Sequence, residues 1–197
     1  MSFIANTAFE ARLTNNALDQ LAQVAGIYRV STTDTDCSAG LLVTRSAKVP
    51  HSVFTGVYNE NAYYMVAATD AANVNDVIYA CDPHDWPLVA TANGNKYAVG
   101  SEMLGLGAPA GHMTNYTRID FDGQHIYRFG VGNLSTSLGA NEYFTIANGL
   151  LVPAASAPTT AGAIYFELVG KGNFTEGTTS SFAYVDVVAK KNIVATA

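Results

Sequence analysis

Residues 119–130 read IDFDGQHIYRFG, and the fold turns on how that stretch is understood. Asp122-Gly123 places two residues tolerant of positive φ between runs of β-branched and aromatic side chains, which is the pattern of a hairpin. Asn93-Gly94 and Asn148-Gly149 repeat it elsewhere. Strand-like runs occupy residues 27–31, 40–45, 62–68, 76–81, 96–100, 117–121, 125–130, 143–147, 163–169 and 182–189. They follow at roughly ten-residue spacing with no helical period between them. The expectation is a mainly β chain, folded as an antiparallel β-sandwich or barrel.

One helix is expected, over residues 14–26 (TNNALDQLAQVAG): Thr14 or Asn15 can cap it, Ala17, Leu18, Leu21, Ala22 and Ala25 recur at helical spacing, and Gly26 can end it. This divides the chain into an N-terminal arm and helix, residues 1–26, and a single β-rich domain, residues 27–197. No internal repeat is evident.

Composition narrows the function. Of 197 residues, 13% are charged and 49% hydrophobic, whereas a freely diffusing domain carries about 25% charged residues. A surface this poor in ionic groups is expected to be covered in part by another copy or another protein. Net charge is −6, and the ten basic residues form no continuous stripe for phosphate, so direct nucleic-acid binding is not expected. No apolar run approaches the ~20 residues of a membrane-spanning helix, and no membrane partner is expected. MSFIANTAFEARL carries neither a basic leader nor a long apolar run, so no signal peptide is expected there and synthesis in a cytoplasm follows. Cys37 and Cys81 are too few for a disulfide framework and read as free thiols packed like small apolar groups, with a bridge between them left open.

Catalytic and metal motifs are weak. In CDPHD, Cys81 and His84 have half of a zinc spacing with Asp82 and Asp85 beside them, but the second half is missing unless Cys37 or His112 folds nearby. Asp120, Asp122 and Gly123 match a fragment of a calcium loop without its remaining ligands. LGLGAPAGH holds Gly105, Gly107 and Gly111, yet Pro109 and the strand-like sequel do not suit a dinucleotide turn. His51, His84, His112 and His125 lie in no local nucleophile signature. Asn115, Asn133 and Asn173 open formal glycosylation sequons that matter only on a secretory route. No catalytic residue, metal ligand or cofactor is assigned. Tyr58, Tyr63, Tyr64 and Tyr116 could stack on sugar rings if displayed, but tyrosine is as common in strands and at interfaces.

Candidate partner-binding residues come from charge-poor stretches. Residues 129–166 carry one charge, Glu142, and residues 97–117 carry one, Glu102; interface cores are depleted in charge. These stretches supply Leu104, Leu106, Pro109, Leu134, Leu138, Leu151, Pro153 and Pro158. The segment VPAASAPTTAGA reads either as an extended strap on a neighbour or as a tight loop after an interior strand pair, and composition leaves both open. Phe3, Ile4 and Phe9 give the first dozen residues enough apolar area to anchor an arm on a partner, or on the chain's own sheet.

The stretches NENAYYMVAATDAANVNDVIYACDP, LGLGAPAGHMTNYTRIDFDGQHIYRFGVGN and EYFTIANGLLVPAASAPTTAGAIYFELVGKGNFTEGTTSSFAYVDVVA resemble the small structural proteins of tailed bacteriophages, particularly those that accompany a major capsid protein in phages of Gram-positive bacteria. The resemblance runs from about Asn59 onward. It implies a virion component, most like a capsid decoration or cement protein, with the major capsid protein as partner, self-association, and no enzymatic activity. A tail protein or a host-surface, glycan-binding β-module is the neighbouring alternative. It transfers no functional residue.

Overall fold

The computed structural model describes residues 7–12, 22–50, 62–69, 77–83, 89–90, 96–97, 107–176 and 180–193. The strands in chain order are β1 (Phe9–Arg12), β2 (Gln23–Val30), β3 (Thr33–Asp34), β4 (Leu42–Lys48), β5 (Tyr63–Ala67), β6 (Ile78–Cys81), β7 (Val89–Ala90) and β8 (Lys96–Tyr97). They continue with β9 (Thr114–Arg118), β10 (Asp122–Gly130), β11 (Tyr143–Ala147), β12 (Leu150–Ala154), β13 (Ile164–Glu176) and β14 (Ser180–Lys191). The chain is mainly β, as its sequence predicts, and the described residues contain no α-helix.

The first half closes into a five-stranded barrel, β2-β5-β4-β6-β9, in which β9 returns to pair with β2. Every barrel contact is antiparallel except β2 with β5, which is parallel. Closure leaves the barrel no free edge. The second half is an antiparallel six-stranded sheet, β1-β10-β14-β13-β11-β12.

Alternation along the strands assigns two faces, and therefore two cores. Val43, Tyr79, Cys81, Met65, Tyr28 and Tyr116 fill the barrel interior. The neighbours of β4 and β6 that point the other way, Leu42, Ile78 and Ala80, lie outside the barrel and pack with Tyr127, Phe129, Phe144, Phe166, Val185 and Val187 of the second sheet. Barrel wall and sheet thus make one sandwich. A fully buried side chain of this kind stabilises by about 1.5–3 kcal/mol.

Three expectations are corrected. Of the helix expected over residues 14–26, residues 14–21 lie outside the described part, and Gln23 to Gly26 are the start of β2. Gly26 is no helix stop: between β5 and β9, a Cβ there would lie 2.5 Å from Met65 Cγ and 2.8 Å from Tyr63 O, so tertiary packing demands its bare backbone. The boundary between residues 26 and 27 falls inside β2, and β1 belongs to the second sheet, so the first 26 residues are no separate unit where they are described. Residues 119–130 are not a hairpin either. Ile119 N–H still bonds to Ile78 O of the barrel at 2.9 Å, whereas β10 pairs with β1 and β14 in the other sheet. The chain crosses between the sheets at Asp120 and Phe121, pinned by the Asp120 N–H donating to the Tyr127 hydroxyl at 2.9 Å. Gly123, at φ +74°, serves the register irregularity between Asp122 and Ile126 where β10 begins.

The other turn signals fare better. Asn148 and Gly149, at φ +50° and +77°, join β11 to β12 in a two-residue hairpin. Asn93-Gly94 lies outside the described residues, but β7 and β8 on either side of it pair antiparallel. Cys37 and Cys81 are free and fully buried.

Burial of phenols and a thiol gives the fold a pH limit. Desolvation raises the pKa of Tyr28, Tyr116 and Tyr127 above 10.0, and of Cys81 above 9.0. From about pH 9 for Cys81 and about pH 10 for the tyrosines, the unfolded chain releases protons that the folded chain keeps, so stability falls as pH rises, by at most about 1.4 kcal/mol per pH unit for each such group. Urea midpoints measured from pH 8 to 11 should drop steeply, and Tyr116→Phe should soften the slope; a midpoint independent of pH would contradict this.

Candidate interaction surface

Among the described residues the six-stranded sheet ends at β1 on one side and at β12 on the other. At one edge, β12 pairs only with β11. Its outward-facing positions are blocked: Pro153 has no N–H to offer, and the carbonyl of Leu151 already accepts from Ser135 N–H at 2.8 Å. The segment read as strap or strand pair therefore begins as an edge strand of the chain's own sheet. The loop after it is held too, since Asn192 Nδ2 donates to the carbonyls of Pro158 at 2.8 Å and Thr160 at 3.1 Å.

The hairpin of β13 and β14 behaves differently. Inside the sheet β14 has β10 beside it as far as Tyr184, and β13 has β11 beside it at Phe166 and Glu167. Their mutual pairing runs much further, through Asn173↔Ala183, Phe174↔Phe182, Thr175↔Ser181 and Glu176↔Ser180. Among the described residues this outer part has no second strand on either side, so it is a two-stranded ribbon continuing past the sheet. Residues 173–183, NFTEGTTSSFA, hold one charge, Glu176.

The ribbon is rooted in a polar cluster on the sheet's outer face. Arg128 grips Asp186 with two hydrogen bonds, Nε to Oδ1 at 2.6 Å and Nη2 to Oδ2 at 2.7 Å, and both side chains are largely buried. The guanidinium also lies 3.8 Å from the centre of the Tyr184 ring. Gly172, opposite Tyr184, makes room for it, because a Cβ there would sit 2.6 Å from the Tyr184 hydroxyl oxygen. Further along, Lys190 Nζ meets Glu167 Oε2 at 2.5 Å; this hydrogen bond raises the Lys190 pKa, but the pair is part-exposed and contributes little, about 0–1 kcal/mol. Tyr143 and Tyr165, 6.2 Å between ring centres, complete the half-exposed face beside it.

The residues expected to bind a partner fall into three groups. Phe3, Ile4, Leu104 and Leu106 lie outside the described residues. Phe9, Leu134 and Leu151 are corrected: all three are buried in the chain's own core, Phe9 stacked with Tyr127 and tilted against Phe129, so none can anchor a partner. Leu138 is half-buried against the same core. Pro109, Pro153 and Pro158 stay partly exposed. Of the described positions, Phe9, Leu134, Leu138 and Leu151 meet in the chain's own core and not on its surface. Sequence reasoning missed Arg128, Asp186 and the ribbon; the ion pair spans 58 positions and has no local signature.

The remaining candidates resolve locally. Tyr116 is fully buried and Tyr64 lies under the Arg29 guanidinium, 3.4 Å from its ring centre, so neither can stack on a sugar; Tyr63 is half-buried and Tyr58 lies outside the described residues. Cys81 points into the barrel, Asp82 accepts a hydrogen bond from Thr117, and His84 and Asp85 lie outside the described part. Among the described residues no three His, Cys, Asp or Glu side chains converge as a metal site, and no helix is long and apolar enough to cross a membrane. Asp120 pairs with Arg118 at 3.1 Å, and Asp122 accepts from Gln124 N–H at 2.8 Å. Asn133, of the formal sequons, is buried.

No protein-family model, curated protein or solved structure matches this chain.

Proposed function

We propose that this chain is a non-enzymatic structural component of a tailed-phage particle, a decoration or cement protein that self-associates and binds the major capsid lattice. It would be made in the bacterial cytoplasm and act on the virion. The observation that carries this reading is the β13–β14 ribbon. A lone two-stranded ribbon is marginal in water, and main-chain edges that pair with no further strand among the described residues suit addition to a strand of a neighbour. Scarcity of charge in residues 173–183 lowers the desolvation cost of such docking. Repetition over a lattice turns modest contacts into high avidity.

The test uses the full chain and a variant in which residues 173–183 are replaced by Asn-Gly, joining Gly172 to Tyr184, which already face each other in register. The intact chain should co-sediment with shells of its source phage at a stoichiometry set by the lattice, and the variant should keep its melting temperature while losing at least about tenfold in affinity, about 1.4 kcal/mol. An intact chain that stays monomeric and is found on no particle overturns the reading. Equal binding by the folded variant removes the ribbon from it.

A further inference from the structure

The barrel interior holds a nucleophilic pair that the proposed function does not use. Cys37 and Cys81 are 44 positions apart in sequence, yet the fold brings them together without solvent access to either. Cys81 ends β6, where its N–H donates to Leu41 O at 3.0 Å and its carbonyl accepts from Gly40 N–H at 2.8 Å. Cys37 sits just before the turn that leads into β4, and Ala108 holds its backbone from both sides, through two hydrogen bonds of 2.8 Å. Between these fixed backbones the Cys81 sulfur reaches to 3.9 Å from the Cys37 carbonyl oxygen, while the Cys37 sulfur lies 3.9 Å from the Ser38 carbonyl. The two thiols already interact side chain to side chain within this enclosure.

We propose that Cys37 and Cys81 are a latent disulfide pair, closed by a peroxide-class oxidant when the Cys37–Ala108 bridge opens, which then locks the segment before β4 to the end of β6. The chemistry balances with that oxidant alone. One thiolate attacks the peroxide O–O bond and becomes a sulfenic acid, and the hydroxide released takes up the proton that the thiol lost. The second thiol then displaces the sulfenic hydroxyl, the S–S bond forms, and water leaves. Two thiols and one hydrogen peroxide become one disulfide and two waters. Burial keeps the Cys81 thiol protonated and so unreactive in the closed barrel. The pair therefore stays reduced until the barrel breathes, and the rate of oxidation reports that breathing. A cross-link across this long a loop constrains the unfolded chain strongly. The inference stands whether or not the chain is a virion protein.

The full chain is incubated with hydrogen peroxide in buffer and in graded urea below its unfolding transition, then denatured, alkylated and weighed intact. The expected product is monomeric, lighter by two hydrogens and closed to alkylation. It should form faster as urea rises and melt about 5–10 °C higher than the reduced chain. Cys37→Ala and Cys81→Ala should each abolish it. Two alkylatable thiols after oxidation at every urea concentration, stepwise oxidation to sulfinic acid, or a disulfide that appears only between molecules or only in unfolded chain would each overturn the pairing.

Discussion

Replacing Asn133 with Ala should destabilise the fold by about 3 kcal/mol or more, a large share of the 5–15 kcal/mol typical of a domain. Asn133 follows β10 in a 3-10 turn (Val131–Asn133) and is 1% exposed. Its Oδ1 accepts from Ala8 N–H at 3.0 Å, just ahead of β1, and its Nδ2 donates to Ala39 O at 2.8 Å, in the turn that leads into β4. One side chain therefore ties the N-terminal strand, the barrel and the second sheet. Alanine leaves a buried N–H and a buried carbonyl without these partners and opens a small void. Asn133→Asp is the sharper control: the acceptor survives, the donor is lost, and a carboxylate is buried, so it should be no better than alanine at neutral pH. Urea unfolding of both variants checks this, and a loss below about 1 kcal/mol for Asn133→Ala would show that the knot holds nothing together.

How far the sequence could be read follows from the range of the interactions involved. Tyr143 to Leu150 form a hairpin with its turn in the predicted place because Asn148-Gly149 decides that conformation within two residues. Asp122-Gly123 carries the same local chemistry, yet its neighbours were claimed by distant partners: Ile119 by Ile78, Ile126 by Val188. Residues 23–26 lost helical structure for the same reason, since Gly26 is fitted between strands that start at positions 63 and 114. Whether Phe9 would cover a partner or the chain's own sheet stayed open, and the burial of Leu151 was not foreseen, because hydrophobic content tells that a side chain will be covered and not by what. Closure of the barrel through a parallel β2–β5 pair depends on register across 37 positions, which no local pattern encodes.

Several of the scarce charges are spent on one another. Arg29 engages Asp34 and Tyr64, Arg118 engages Asp120, Arg128 engages Asp186 and Tyr184, and Lys190 engages Glu167. Arg45 lies 5.1 Å and 5.5 Å from the ring centres of Tyr63 and Tyr79. Cations held so close to carboxylates and rings project little field of their own. That supports a surface meant for contact through main chain and neutral side chains, in line with the proposed lattice role, rather than one that steers charged ligands.

Gly107→Ala is the substitution expected to do the most damage, and it should leave little folded protein at 37 °C, a loss above about 3 kcal/mol. The backbone conformation at Gly107 is not the obstacle, because its φ lies outside the left-handed region. The obstacle is space: an added Cβ would fall 1.6 Å from Cys37 O and 2.7 Å from Ser38 Cα. Neither atom can step aside, since the Cys37 carbonyl accepts from Ala108 N–H at 2.8 Å and Ser38 O accepts from Leu41 N–H at 3.1 Å in the turn before β4. Admitting one methyl group means breaking the Cys37–Ala108 bridge and with it the cover over the barrel's thiols and Tyr116. The same substitution at Gly170 provides the comparison, because a Cβ there meets nothing closer than Asp186 at 3.6 Å, and Gly170→Ala should change stability by less than about 1 kcal/mol. Thermal unfolding of the two variants side by side separates steric exclusion from any general intolerance of alanine. Were Gly107→Ala to melt within a few degrees of Gly170→Ala, the close approach of these two backbones, and the seal it makes over Cys37, would be refuted together.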